Sequence, residues 1–97
     1  MATRLSADRL WSNQPTHPGA VLREELEARG MTQEELATRM NCPVQTVIEI
    51  GQGTKGITAD AALALEAAIP DGPQATFWMN LQGRYELALA RLRREAV

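Results

Sequence analysis

The residues best suited to chemistry in this chain are hydrogen-bonding side chains between positions 32 and 55: Thr32, Gln33, Gln45, Thr46, Glu49 and Lys55. Together they suit the reading of a DNA duplex. A glutamine such as Gln45 can make the paired contact to adenine, and Val44 or the Thr46 methyl can pack on the methyl of thymine. Glu49 can accept from cytosine. Thr32 and Gln33 open a predicted helix, where side chains and backbone amides can hold a phosphate. Lys55 lies among Gly51, Gly53 and Gly56 and can reach another phosphate. Catalytic chemistry has no comparable support. The single His17 and the single Cys42 have no partners at metal or triad spacing. There is no clustered nucleophile and base, and no glycine-rich phosphate loop after a strand pattern. The sequence therefore predicts a protein that is not an enzyme, with no metal, no cofactor and no small-molecule substrate. His17 is expected to cap or pack at the first helix, and Cys42 to be semi-buried and structural.

Two short helices must present these side chains. Ala37 is a small residue in the middle of a predicted helix, and Asn41 follows it by four. Val47 comes six residues later and Ile50 three beyond. The small side chain lets two helices cross closely. The asparagine tolerates a positive φ. The two β-branched residues anchor the second helix to the core. This spacing describes a helix-turn-helix, whose second helix enters the major groove. A plain helical bundle can imitate the same spacing.

The full pattern predicts five helices, over 18–29, 33–40, 43–51, 59–69 and 75–94. Pro18 and Pro43 suit first helical positions. Gly30 suits a left-handed C-cap, and Thr32 with Glu35 forms a capping box. Gly51 and Gly53 are expected to end the third helix. Thr58 caps the fourth, with Ala62, Leu65 and Ile69 inward and Leu63 flanking them. Pro70-Asp71-Gly72-Pro73 breaks the chain before the fifth. There, Trp78, Leu81, Tyr85, Leu89 and Leu92 repeat every three or four residues, with Phe77 beside the stripe. Residues 1–17 read as an arm in which Trp11 is the exception, and 18–97 as one domain.

Composition agrees with an all-α fold. Ala (15) and Leu (11) are plentiful, whereas Val and Ile total eight in 97 residues. No apolar run approaches membrane-spanning length, so no membrane partner is expected. One cysteine excludes an internal disulfide framework, and the expected compartment is the cytoplasm. Net charge is −2 overall. Residues 31–58 carry Arg39 and Lys55 against Glu34, Glu35 and Glu49, a net of −1 on the stretch that would face DNA.

Particular runs of residues then resemble a known family. His17-Pro18-Gly19, Leu22-Arg23-Glu24-Glu25 and Thr32-Gln33-Glu34-Glu35-Leu36-Ala37 are similar to the HigA-type antitoxins of the Cro/C1-type (XRE) class. Gly56-Ile57-Thr58-Ala59-Asp60-Ala61-Ala62-Leu63 resembles that family's loop and fourth helix. Phe77-Trp78-Met79-Asn80-Leu81-Gln82 with Tyr85-Glu86-Leu87 resembles its fifth. The resemblance covers roughly residues 17–90. It implies a five-helix, lambda-repressor-like DNA-binding domain that dimerises. It also implies an antitoxin that binds a HigB-type toxin, a small ribosome-dependent mRNA endonuclease, and represses its own operon through an inverted repeat.

Helix five holds more apolar surface than a domain of this size readily covers. Phe77, Trp78, Leu81, Tyr85 and Leu89 are therefore expected at a homodimer contact. A two-fold dimer sets its recognition helices about one DNA turn apart, roughly 34 Å. The chain departs from the family in two ways. Val44 and Thr46 stand where arginine is common, and the link between helices four and five looks longer, with two prolines. Two other functions suit the same residues: a solitary regulator without a toxin, and a protein-binding module that has lost DNA affinity. Val44, Thr46 and the net −1 stretch favour the module, whereas Gln33, Gln45 and Lys55 oppose it.

Overall fold

The structure, a computed structural model, describes residues 16–95. Most of the expected arm, including Trp11, lies outside the described residues, which begin with Thr16 and the helix cap His17. The described residues form five helices and no strand: α1 (Pro18–Arg29), α2 (Gln33–Met40), α3 (Val44–Gln52), α4 (Ala59–Ala68) and α5 (Ala75–Glu95). Among them no helix is long and apolar enough to cross a membrane.

Local chemistry sets most of the boundaries. The His17 Nδ1 accepts from the Gly19 amide at 2.9 Å and starts α1, and Gly30 ends it at φ 60°. Thr32 Oγ1 accepts from the Glu35 amide at 3.0 Å while the Glu35 carboxylate accepts from the Thr32 amide at 3.1 Å. These two bonds are the predicted capping box of α2. Asn41 closes that helix at φ 56° and ψ 47°, among the described residues the only non-glycine with positive φ. Thr58 Oγ1 accepts from the Ala61 amide at 3.1 Å and caps α4.

Three expectations need correction. Pro43 is the N-cap of α3 rather than its first residue, with an extended ψ of 144°. Gly51 does not end α3. It is a buried helical residue, and Gly53, at φ 85°, provides the left-handed cap. Ile69 lies outside α4 at φ −125° and ψ 78°. The ring of the following Pro70 disfavours helical backbone there.

The helices enclose one core. Leu22 and Leu26 of α1, Leu36 and Ala37 of α2, Val47 and Ile50 of α3, Ala62, Leu65 and Ala68 of α4, and Trp78 of α5 are all buried. Ile57 and Ile69 fill the gaps between helices. Each fully buried large aliphatic side chain contributes about 1.5–3 kcal/mol by leaving water. α3 packs on α1 and α2, α4 on α2 and α5, and α5 returns to α1. Leu63, expected to flank this core, is 58% exposed.

Candidate nucleic-acid interface

The inward set on α3 defines its outward face. Val47, Ile50 and Gly51 are buried. At 100° per residue, Gln45, Glu49 and Gln52 fall on the opposite side. Gln45 and Gln52 are exposed and Glu49 is half-buried. Gln52 is missing from the sequence reading because the helix runs one residue beyond its expected end. Thr46 and Ile48 are half-buried at the two edges of the face. Val44 is only partly available, since it packs against the core cluster.

The start of α2 lies beside this face. Thr32 is exposed and Gln33 half-buried. The capping box occupies the Glu35 amide, and the preceding amides at the helix start are free of intrahelical partners. Glu34 and Glu35 already place negative charge at this positive helix end, which reduces its attraction for a phosphate.

Lys55 follows α3 in the segment between Gly53 and Ile57. Its Nζ lies 3.6 Å from Glu49 Oε1, with both side chains partly exposed. Such a pair is worth about 0–1 kcal/mol, so Lys55 remains free to exchange Glu49 for a phosphate. Glu49 thus has a partner on its own chain as well as the outward position expected of it. Its carbonyl accepts from the Thr54 amide at 3.0 Å and the Lys55 amide at 3.2 Å.

The other cations of α1 to α4 divide clearly. Arg29 bonds Glu25 and reaches Asp71 at 3.4 Å. Arg39 donates to the Ala68 carbonyl at 3.2 Å, closing the end of α4. Arg23 is exposed and forms no ion pair with a described residue. A Cβ placed on Gly51 would lie 3.7 Å from Arg23 Cγ and 3.8 Å from Gln33 Nε2. The two side chains therefore converge beside Gly51 of α3, from α1 and α2. Sequence reasoning passed over Arg23. Its signal was its place immediately after the inward Leu22, at the edge of the buried stripe of α1.

Helix α1 also fixes α3 directly. A Cβ on Gly19 would lie 1.9 Å from the Ile50 carbonyl oxygen, so only glycine permits this approach. His17 completes the junction. Its ring meets Tyr85 edge-on with centroids 4.7 Å apart, and a Cβ on Gly53 would lie 3.6 Å from its Cγ. Burial lowers the His17 pKa from its ordinary value. That agrees with an unprotonated Nδ1, which the cap bond requires.

The expected dimer residues separate in space. Trp78 is 0% exposed and belongs to the core of its own chain, so it contributes no surface to a partner. Phe77 stacks edge-on against it at 5.4 Å and is itself 40% exposed. Leu81, Tyr85 and Leu89 are half-buried along α5. Leu81 and Tyr85 line a cleft of about 210 Å³ with Thr16, Arg84 and Ala88. Among the described residues, no three His, Cys, Asp or Glu side chains converge as metal ligands.

Comparison with known proteins agrees with this geometry. Residues 22–70 match the helix-turn-helix family. Virulence-associated protein I of Dichelobacter nodosus is 35% identical over 82 residues, 84% of this chain and 74% of that protein. The structure of Pseudomonas aeruginosa antitoxin HigA with the higBA promoter is 36% identical, with a TM-score of 0.77 over 84% of this chain and 88% of that one. A HigA-family addiction module antidote protein from Coxiella burnetii is 36% identical, with a TM-score of 0.76 over 86% and 89% of the two chains. The all-α, lambda-repressor-like fold and the outward polar face of α3 thus meet in one conclusion: this chain belongs to the XRE-type helix-turn-helix family, a non-enzymatic DNA-binding class, and its structural neighbours are HigA-family antitoxins.

Proposed function

We propose that the protein is an antitoxin that binds operator DNA as a homodimer, represses its own operon and neutralises a HigB-type mRNA endonuclease. One observation carries the DNA-binding part: Gln45, Glu49 and Gln52 share the outward side of a helix whose other side is locked into the core. In this reading α3 lies in the major groove. Gln45 reads adenine, Thr46 and the exposed part of Val44 meet thymine methyls, and Glu49 accepts from cytosine. Thr32, Gln33, Lys55 and Arg23 hold phosphates on either side. The relative solved with its promoter supports this assignment by its similarity across most of both chains. Phe77, Leu81, Tyr85 and Leu89 form the dimer contact, with Trp78 supporting them from the core. The toxin assignment rests on the antitoxin relatives.

Fluorescence anisotropy with the DNA upstream of the gene, against scrambled DNA over a salt series, tests the reading. Sequence-preferring binding that weakens with salt is expected. Equal affinity for both DNAs at every salt concentration refutes operator recognition. Co-purification with the product of the adjacent gene tests the toxin assignment, and inhibition of that product's mRNA cleavage is the expected result.

A further inference from the structure

Gln82 is a buried polar side chain within the core, 7% exposed, and the interface described above gives it no task. Its Oε1 accepts from the Ile57 amide at 2.8 Å. Its Nε2 donates to Glu86 Oε2 at 2.9 Å. The two partners fix the amide in one orientation, because the backbone N–H needs an acceptor and an ionised carboxylate needs a donor. Gly56 makes the approach possible. A Cβ there would lie 2.9 Å from Gln82 Nε2 and 3.2 Å from Oε1.

The segment from Gly53 to Ile57 therefore has two anchors. At its start, the Glu49 carbonyl accepts from the Thr54 and Lys55 amides and from Thr54 Oγ1, the last at 3.2 Å. At its end, the Ile57 amide is tied to Gln82, and the Ile57 side chain is buried. Lys55 is itself held by the first anchor through its amide and lies two residues before the second. Without the Gln82 bond, only the buried Ile57 side chain would hold this end of the segment, and the Ile57 amide would lack an acceptor.

We propose that Gln82 is a positioning residue for DNA binding, holding the Gly53–Ile57 segment from α5 so that Lys55 reaches a backbone phosphate. The inference deepens the proposed function and rests on its assignment of Lys55. The backbone anchor can still be read without DNA.

The test uses the full chain and two readouts: amide hydrogen exchange at Lys55 to Ile57 without DNA, and the salt dependence of binding to the upstream DNA. In Gln82→Leu, exchange speeds up. Binding to operator and scrambled DNA weakens alike, by about fivefold per protomer at 0.15 M salt, the counterion-release value for one phosphate contact. The salt slope falls by about one per protomer. The exchanged pair Gln82→Glu with Glu86→Gln keeps both hydrogen bonds and restores both readouts. Glu86→Ala, at an exposed position, leaves the fold intact and moves both readouts part of the way. A folded Gln82→Leu or Glu86→Ala with the wild-type exchange and slope overturns the proposal. So does faster exchange with an unchanged slope, or an exchanged pair that fails to restore. If the wild-type protein binds no operator, the DNA reading falls, while the exchange data still decide whether Gln82 anchors the segment.

Discussion

Replacing Gly19 by alanine sets two opposing effects against each other, and the structure decides which is larger. Alanine is favoured over glycine in a helix by about 0.8–1.0 kcal/mol at an interior position. Gly19 lies in the first turn of α1, where that gain is at most of this size. Against it stands the Ile50 carbonyl oxygen, 1.9 Å from where the new Cβ would lie. The obstacle is backbone, so no rotamer change relieves it. That oxygen also accepts from the Gly53 amide at 3.1 Å, so moving it loosens the cap of the reading helix. Overpacking of a close contact costs about 1–3 kcal/mol, and a backbone clash belongs in the upper half of that range. The expected net loss is about 1–2 kcal/mol, a fall in melting temperature of roughly 5–15 °C.

Gly83 supplies the control. It lies within α5, and a Cβ added there would meet nothing within 4 Å. Gly83→Ala is therefore expected to stabilise by about 0.8–1.0 kcal/mol, raising the melting temperature by a few degrees. Circular-dichroism melts at one fixed protein concentration compare the variants, because dimerisation would make the midpoint concentration-dependent. If Gly19→Ala melts at or above the wild-type temperature while Gly83→Ala rises, the close approach of α1 to α3 is not what fixes the reading helix.

Arg23→Ala is expected to reduce the salt slope of DNA binding by about one per protomer while keeping the ratio of operator to scrambled affinity; a changed ratio would mean a base contact instead. Replacing Gln45 and Thr46 by alanine is expected to lower that ratio, each good base contact being worth about 1–3 kcal/mol, and an unchanged ratio in competition binding would remove α3 as the reader. His17 gives a pH dependence. Its folded pKa is lowered, so its stabilising contribution is complete above the ordinary imidazole value of 6.5 and declines as pH falls through 6.5 toward the folded value. His17→Asn keeps a capping acceptor without the titration, so urea midpoints of the two proteins should diverge below pH 6.5; parallel curves would show that His17 does not act through its cap.

What was legible in the sequence was local. The Thr32–Glu35 capping box, the left-handed Gly30 and Asn41, and the Thr58 cap each depend on residues within four positions, and all appear where expected. Pro43 shows how such reasoning slips by one residue: proline's fixed φ suits an N-cap as well as the first helical position, and only the extended ψ separates them. Gly51 and Gly53 pose the same ambiguity, settled by which of them α1 and α2 cover. The features that eluded the sequence depend on distant pairs. Gln82 reads as an ordinary polar residue of a long helix until Ile57, 25 positions earlier, is placed against it. Trp78 belongs to an apolar stripe, and the stripe alone does not tell core from partner surface. Arg23 gains its meaning from Gly51 on a different helix.

These distant pairs share one consequence for recognition. The proposed reading helix is held in its last turn by the Gly19 contact to Ile50, at its cap by His17 against Gly53, and beyond its end by Gln82 against Ile57. His17 packs on Tyr85, and Gln82 lies three residues before it, so two of these supports lead to α5. The helix that carries the proposed dimer contact thus also supports the proposed reader, which α1 and α2 pack directly. In a two-fold dimer, the angle between the two α5 helices would bear on α3 through these two supports, and with it on the separation of the half-sites. That coupling bears on this chain in particular, because its reading face carries few free cations. With little non-specific attraction to fall back on, the proposed dimer would hold the duplex by two readers at once, and their spacing would matter as much as the bases they touch.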